Sequence, residues 1–232
     1  MSSPSTLQDI QFLRSQPLAS LVQKEIERQI LSGEFEAGKR LNELEIARTL
    51  GISRVPVREC LRTLEQTGLV ISRKNYGVYV RTVSLEDARE IYQMRSYIDA
   101  GVGQELAQSI AVSDFRPLEQ MVARMEKAHA KRDAVAYHEI NMAFHERMVE
   151  LVGNRKLLDV YRKLLNELTL YRRQSLAQPG AMDHSAAEHR DILAAIKSGD
   201  GDAAGRVMRD HIMASSGRLQ RAHETPRTRK TK

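Results

Sequence analysis

A short stretch of this 232-residue chain, LGISRVPVRECL from Leu50 to Leu61, constrains its fold more than any other part. Gly51 lies where one helix must end in a sharp turn, because glycine adopts a positive φ without strain. Ser53 is a favourable N-cap for a following helix, and Pro56 is tolerated in a first turn, where an N–H has no intrahelical partner. The stretch therefore predicts the turn and second helix of a helix-turn-helix.

This second helix has two faces of different character. Val57, Leu61 and Leu64 recur at i, i+4 and i+7 and predict a buried face. Another face carries arginines at i, i+4 and i+8, namely Arg54, Arg58 and Arg62. Outward arginines near a helix N-terminus suit the major groove of DNA. A solvated basic face on an ordinary helix gives the same pattern.

The segments on either side extend the motif. Apolar residues at every fourth position from Leu18 to Ile30 predict a preceding helix, and Asn42 is a candidate N-cap for the first helix of the motif. After Gly68, two β-type apolar runs flank a basic turn. Three helices followed by strand, turn and strand are the order of a winged helix-turn-helix, which we expect over residues 17–82.

The predicted wing adds a second basic surface. Its turn contains Arg73 and Lys74, and it can lie against a phosphate or in the minor groove. Many winged helices instead bind protein, but two arginine-bearing elements together favour DNA. The predicted DNA-contacting residues are Arg40, Ser53, Arg54, Arg58, Arg62, Arg73 and Gly77.

Residues 83–218 show no strand pattern and predict six or seven helices packed as an all-α bundle. Ser84 is a candidate N-cap for a long first helix, and Ser113 or Asp114 for the second. Gly153 is a natural stop for the third helix. The fold class is therefore mainly α, with an N-terminal winged helix-turn-helix and a C-terminal helical bundle.

Charge is distributed unevenly along the chain, whose formal net charge is +6. Residues 1–82 carry 12 Lys and Arg against 9 Asp and Glu, residues 218–232 carry 6 against 1, and the part between is slightly acidic. Basic ends suit a nucleic-acid partner. We expect residues 1–16 to be a flexible N-terminus and residues 219–232 to be a basic tail.

Two further features exclude other classes of protein. The single cysteine, Cys60, rules out an intrachain disulfide and suits a reducing compartment. The apolar runs are too short to span a bilayer, and the first residues lack a signal-peptide pattern. A cytoplasmic protein without a membrane partner is therefore expected.

Three histidines of the second domain fall on inward helix faces. Asn141 and His145 are spaced i, i+4 on one predicted helix, and His189 and His211 have apolar neighbours on two later helices. Three inward imidazoles with one oxygen ligand suit a divalent ion such as zinc, nickel or another transition metal. Core histidines that each satisfy one hydrogen bond would give the same pattern, so the residues alone leave both interpretations open.

The first domain resembles the GntR family of bacterial transcription regulators. The resemblance is carried by the core SRVPVRE, residues 53–59, within the pattern of glycines and apolar residues of the predicted winged helix. It implies that Arg54 and Arg58 contact operator DNA and that Gly77 forms the wing tip. Cys60 stands where the family usually has alanine, and a small buried thiol packs much as alanine does.

The second domain resembles the FCD ligand-binding domain of the FadR branch of that family. NMAFH, residues 141–145, matches the family's Asp-x-x-Phe-His, and His189 and His211 match its two later histidines. The resemblance implies that these residues hold a metal ion whose shell a small carboxylate effector completes. Asn141 replaces the aspartate, so the ion would keep one more positive charge and favour an anionic effector.

Arg95 matches the family's arginine on the first helix of the domain, which often meets the effector. A salt bridge with Asp99, one turn on, is the alternative role. The two resemblances imply a homodimeric regulator, most often a repressor, that binds palindromic double-stranded operator DNA and responds to a small carboxylate, with zinc as the expected cofactor. A metal-dependent enzyme and a pure metal sensor are the alternatives for the same histidines.

Overall fold

The computed structural model describes the backbone of residues 18–175 and 182–224, and the side chains of residues 18–171 and 187–221. The chain divides into two compact units, Met1–Val83 and Ser84–Lys232. The first contains α1 (Leu18–Ser32), β1 (Arg40–Leu41), α2 (Glu43–Leu50), α3 (Arg54–Gln66), β2 (Val70–Arg73) and β3 (Gly77–Val80). The second contains α4 (Leu85–Ser109), α5 (Val112–Ala130), α6 (Ala134–Leu151), α7 (Arg155–Ser175), α8 (Met182–Lys197) and α9 (Gly201–Glu224).

The first unit is a winged helix-turn-helix, and the prediction of a mainly α fold with this motif at the N-terminus is confirmed. Its strands form one antiparallel sheet in the order β1-β3-β2. Arg40 of β1 and Ile71 of β2 both lie opposite Tyr79 of β3. The wing is thereby joined to β1, the strand that directly precedes α2.

Local sequence explains where α2 begins and ends. The Asn42 side chain accepts hydrogen bonds from the backbone N–H groups of Leu44 and Glu45, which have no partner within the helix. At the other end, Gly51 adopts the left-handed conformation with a φ of 65°. Both features were predicted from the sequence.

The start of α3 differs from the prediction. Ser53 occupies the N-cap position with extended backbone angles, but its side chain makes no capping hydrogen bond. A capping side chain bonds the N–H of the second or third helical residue, and the third residue here is Pro56, which has no N–H. The helix is held instead by its buried face, since Val57, Leu61 and Leu64 are at most 2% exposed.

The second unit contains six helices within its described residues. Ser84 caps α4 in a reciprocal capping box with Asp87. The prediction that Ser113 or Asp114 caps the next helix is wrong, because the N-cap of α5 is Ala111. Asp114 lies inside the first turn, where its charge favours the positive end of the helix dipole.

A continuous apolar core joins the helices of the second unit. Phe144 and Met148 of α6, Ile192 of α8 and Met208 of α9 are fully buried in it. Helices α4 and α9 pack closely, and a Cβ on Gly103 of α4 would lie 2.9 Å from a backbone oxygen of α9. The close contact fixes these two helices against each other, and both carry residues of the site described below.

Some predictions concern chain ends. Residues 1–16, predicted as a flexible N-terminus, lie outside the described residues. Helix α9 continues to Glu224, past residue 218 where the domain was expected to end, and residues 225–232 of the predicted basic tail are not described. Within the described part of the chain, no helix combines the length and the apolar character needed to cross a membrane.

Candidate metal centre and nucleic-acid interface

Three histidines from different helices meet in the core of the second unit. His145 of α6, His189 of α8 and His211 of α9 are 1%, 0% and 4% exposed. One nitrogen from each lies within 4.8 Å of the other two. Helix periodicity pointed each side chain inward, and the packing of α6, α8 and α9 brings all three to one place.

An acidic or phenolic group lies beside the Nδ1 atom of each imidazole. His145 Nδ1 is 3.0 Å from Asp99 Oδ1, His211 Nδ1 is 2.8 Å from Glu188 Oε2, and the Tyr137 hydroxyl is 3.5 Å from His189 Nδ1. A carboxylate only accepts, so His145 and His211 donate through Nδ1, and the neutral form of each ring then has its lone pair on Nε2. In metal sites, a carboxylate that accepts from Nδ1 commonly orients a histidine whose Nε2 binds the metal.

The spacing of the ring nitrogens fits one ion. His145 Nε2 and His211 Nε2 are 3.1 Å apart. Two nitrogens that each lie about 2.1 Å from one metal are about 3.0–3.4 Å apart when their angle is between about 90° and 109°. The two imidazoles therefore occupy positions that neighbouring ligands of a single divalent ion would take.

Asn141 supplies an oxygen one helical turn before His145. The residue is 9% exposed, and its Oδ1 atom is buried without a hydrogen-bond partner among the described residues. Leaving such an acceptor unpaired costs about 1–3 kcal/mol, and buried polar atoms of this kind call for a partner. An amide oxygen is a possible metal ligand, so the donor set of Asn141 and the three histidines fits a bound ion.

Two carboxyl groups around the cluster have shifted pKa values. Burial raises the pKa of Asp99, and the neighbouring Arg95 guanidinium and Tyr161 hydroxyl oppose part of that rise. Burial would also raise the pKa of Glu188, but hydrogen bonds from His211 and from Arg218 outweigh it and lower this pKa to about 2. Glu188 is therefore an anion at neutral pH, held by two donors.

Arg95 lies next to the cluster and is 2% exposed. Its guanidinium donates to the Tyr161 hydroxyl from Nε at 3.2 Å and from Nη2 at 2.8 Å, and Nε lies 3.6 Å from Asp99 Oδ2. The salt bridge with Asp99, the alternative role inferred from the sequence, is thus present. A role of Arg95 in effector binding stays a prediction.

Sequence reasoning did not assign Glu188, Asp99 and Tyr161 to the metal site. The sequence predicts no contact for Glu188, yet it bonds His211 on the next helix. For Asp99 the sequence predicts only a salt bridge with Arg95, and for Tyr161 it predicts no polar contact. The available signal was chemical, since a carboxylate near a predicted metal-binding histidine is a candidate for orienting it.

The predicted DNA-contacting side chains lie on the surface of the first unit. Arg54, Arg58 and Arg62 are exposed on α3, and both Arg54 and Arg58 form ion pairs with Glu43 of α2. Ser53 is exposed at the start of the same helix. One face of the helix-turn-helix therefore presents three guanidinium groups, two of them held by one carboxylate.

Arg73 of the wing and Arg40 of β1 lie on either side of Gly77. The Arg73 guanidinium lies 4.8 Å from the centre of the Tyr79 ring. Gly77 has a φ of 103°, and a Cβ there would lie 3.2 Å from Arg40 Nε. A larger residue at Gly77 would therefore be strained and would crowd Arg40.

Comparison with known proteins identifies both units. Residues 18–80 match the bacterial regulatory proteins of the gntR family, and residues 90–214 match the FCD domain. The chain belongs to the GntR family of bacterial regulators that carry an FCD domain. It is 26% identical to the HTH-type transcriptional repressor RspR of Escherichia coli K12 over 202 residues, which cover 87% of this chain and 89% of RspR.

A further relative and a solved structure are similar to this chain. The chain is 26% identical over 191 residues to the HTH-type transcriptional regulator YdhC of Bacillus subtilis 168, with 82% of this chain and 84% of YdhC covered. The solved structure of E. coli McbR/YncC has the same fold, with a TM-score of 0.75, 18% identity, and 90% of this chain and all of that chain covered. The relatives are named as transcription regulators, so the enzyme alternative is not favoured.

The one cysteine behaves as the family comparison suggested. Cys60 is 1% exposed within α3. Burial, with a smaller effect of the Glu27 charge, raises the pKa of its thiol to about 12. The thiol therefore stays protonated at neutral pH and is a packing residue, since reactivity requires the thiolate.

Proposed function

We propose that this GntR-family regulator is a homodimeric repressor that binds palindromic operator DNA and releases it when a small organic acid binds at a metal site in the FCD domain. The observation that carries the proposal is the convergence of three buried histidines, two of them oriented by carboxylates, in a chain that also contains a winged helix-turn-helix. One part can read DNA, and the other can hold a ligand.

The DNA-binding proposal uses the exposed arginines of α3 and the wing. Arg54 and Arg58 lie one turn apart near the start of α3, where a recognition helix meets base edges. A good bidentate arginine contact with guanine discriminates by about 1–3 kcal/mol. Positive charge that can contact DNA phosphates comes also from Arg62, Arg73 and Arg40. Gly77, which has no side chain, lets the wing approach the sugar–phosphate backbone of DNA closely.

The metal proposal assigns His145, His189, His211 and Asn141 as ligands of a divalent ion, with zinc first and nickel or another transition ion as alternatives. The bound ion would supply a compact positive charge, and a carboxylate oxygen of the effector could bind to that ion. Asp99 and Glu188 hold two of the imidazoles in the orientation that this binding needs.

The effector proposal follows from charge. The three imidazoles and the Asn141 amide bring no negative charge, so the ion's charge stays uncompensated by these four ligands. The buried Arg95 guanidinium lies at the same network and can pair with a carboxylate. For such an effector to change DNA affinity, it must bind the DNA-bound and free states unequally.

The test uses full-length, untagged protein and a fluorescent duplex that it enriches from a randomised library. The protein is stripped of metal, divided, and one half is reloaded with zinc; both halves are titrated with lactate, malate, citrate and benzoate. Release of the duplex by at least one acid in the zinc-loaded half alone is the expected result. Equal release in both halves, or release in neither, would contradict the proposal.

A further inference from the structure

One carboxylate on α2 holds two arginines of the recognition helix. The Glu43 carboxylate accepts from Arg58 Nη2 at 3.1 Å and from Arg58 Nε at 3.3 Å. It also accepts from Arg54 Nη2 at 3.3 Å. Because Arg54 and Arg58 are one helical turn apart, a single carboxylate between them contacts both guanidinium groups.

Glu43 is better fixed than either arginine that it holds. It is the first residue of α2, and the Asn42 side chain caps that helix immediately before it. Leu41, two residues earlier, is paired with Val78 of the wing sheet and is 4% exposed. The Glu43 side chain is 24% exposed, against 56% for Arg54 and 51% for Arg58.

We propose that Glu43 is a positioning residue that determines DNA specificity by holding Arg54 and Arg58 in the conformations that read bases. The inference rests on the proposed DNA binding and goes beyond it. A long arginine side chain loses rotamer freedom when it is ordered on DNA, and a side chain that is already ordered loses less. Glu43 also neutralises one of two adjacent positive charges, which weakens attraction to phosphates of any sequence.

These two effects act in the same direction on the specificity ratio. Ordering the guanidinium groups strengthens binding to the correct bases, and the added negative charge weakens binding to unrelated DNA. Removing the Glu43 charge should therefore lower affinity for the selected duplex relative to a scrambled one. It should also make the affinity for the scrambled duplex more dependent on salt.

The experiment measures both quantities with full-length protein. The probes are the duplex that the wild-type chain enriches from a library of randomised duplexes and a scrambled duplex of the same composition. For Glu43→Gln we expect the affinity ratio of the two duplexes to fall about tenfold. We expect the slope of log affinity against log salt on the scrambled duplex to steepen by about one unit.

Two further variants separate positioning from charge. Glu45→Gln removes the same charge from the same helical turn, but Glu45 forms no ion pair among the described residues. The affinity ratio of the two duplexes for this variant should therefore stay within about twofold of the wild-type ratio. Glu43→Asp keeps the charge on a shorter side chain that reaches the arginines less well. The salt slope should therefore equal that of wild type, but the ratio of affinities for the selected and the scrambled duplex should fall. Circular dichroism and thermal melting of each variant verify that the fold is intact.

The outcomes are distinct. An unchanged ratio in Glu43→Gln, an equal loss in Glu45→Gln, or a full ratio in Glu43→Asp would each overturn the positioning role. Loss of discrimination at a single C·G pair alone would also overturn it, in favour of Glu43 reading cytosine directly. If the wild-type chain enriched no duplex, the proposed DNA binding would fail and this inference with it.

Discussion

Glu188 directly precedes His189 in the sequence but bonds His211 on the following helix, with 2.8 Å between Glu188 Oε2 and His211 Nδ1. Arg218, also on α9, donates to both oxygens of Glu188, at 2.7 Å and 2.9 Å. Glu188 thus connects α8 to α9 at the histidine cluster. A residue in this position orients a histidine and ties together two helices that each supply one.

This connection predicts that Glu188→Gln weakens metal binding. A glutamine keeps the shape but loses the charge that fixes the His211 tautomer, and loss of such a partner lowers metal affinity by about 10–100-fold. Competition for zinc against a chelator of known affinity measures the change. Asp191→Asn, an exposed charge loss on the same helix, is the control and should bind as wild type does. Equal zinc affinity in Glu188→Gln and wild type would contradict the prediction.

The same residue predicts a pH dependence of stability. The pKa of Glu188 is about 2 in the folded chain, below its usual value of 4.5. The ionised carboxylate therefore stabilises the fold fully above pH 4.5, and this contribution is lost as the pH falls towards the folded pKa. The side chain is 26% exposed, and the loss is about 3 kcal/mol at most. Urea unfolding of metal-free wild type and Glu188→Gln should show a stability difference at pH 6 that shrinks towards pH 3. A difference that is the same at both pH values would exclude this account.

Replacing Asn141 by the family's aspartate should change the affinity of the site for the metal ion and for the effector. Asn141→Asp adds a negative charge to the proposed donor set, so zinc should bind at least about tenfold more tightly. The same charge should weaken binding of a carboxylate effector. Chelator competition measures the first effect, and titration of the acid that releases DNA measures the second. Zinc affinity equal to that of wild type would show that residue 141 does not face the ion.

Close packing of α4 against α9 predicts the effect of alanine at Gly103. A Cβ at this position would lie 2.8 Å from Met208 Cγ and 2.9 Å from Ala204 O. Gly103→Ala should therefore lower the free energy of unfolding by about 1–3 kcal/mol. Gly101→Ala on the same helix is the control, since the new Cβ would have no neighbour within 4 Å beyond the local backbone of its own helix, and better helix propensity should raise stability by about 0.5–1 kcal/mol. Urea denaturation distinguishes the two, and equal effects would contradict the packing argument.

The parts of the fold that depend on short-range pattern could be predicted from the sequence. The helix-turn-helix follows from Gly51 and the spacing of Val57, Leu61 and Leu64, all within one local segment. The capping error at Ser113 and Asp114 has a local cause too, because several residues near a helix start satisfy cap preferences and only backbone angles decide between them.

The rest depends on contacts between distant residues. Asp99 meets His145 across 46 residues, and Tyr161 meets Asp99 across 62. Helix periodicity shows that such side chains point inward, but not which of them meet. Helix periodicity predicts the inward histidines and Asn141, and the resemblance to the FCD domain favours a metal site, whereas the carboxylates that orient the imidazoles meet them only through the packing of α4 and α8 against α6 and α9.

The metal content of the purified protein gives the sharpest test of the proposed ion site in the FCD domain. Untagged wild-type protein, purified without added metal, is analysed by inductively coupled plasma mass spectrometry. The control is a His145→Ala/His189→Ala variant whose fold is verified by circular dichroism. We predict about one divalent ion per chain in the wild type and none in the variant. A wild-type protein that holds no ion, even after soaking with zinc or nickel, would contradict the proposed metal site.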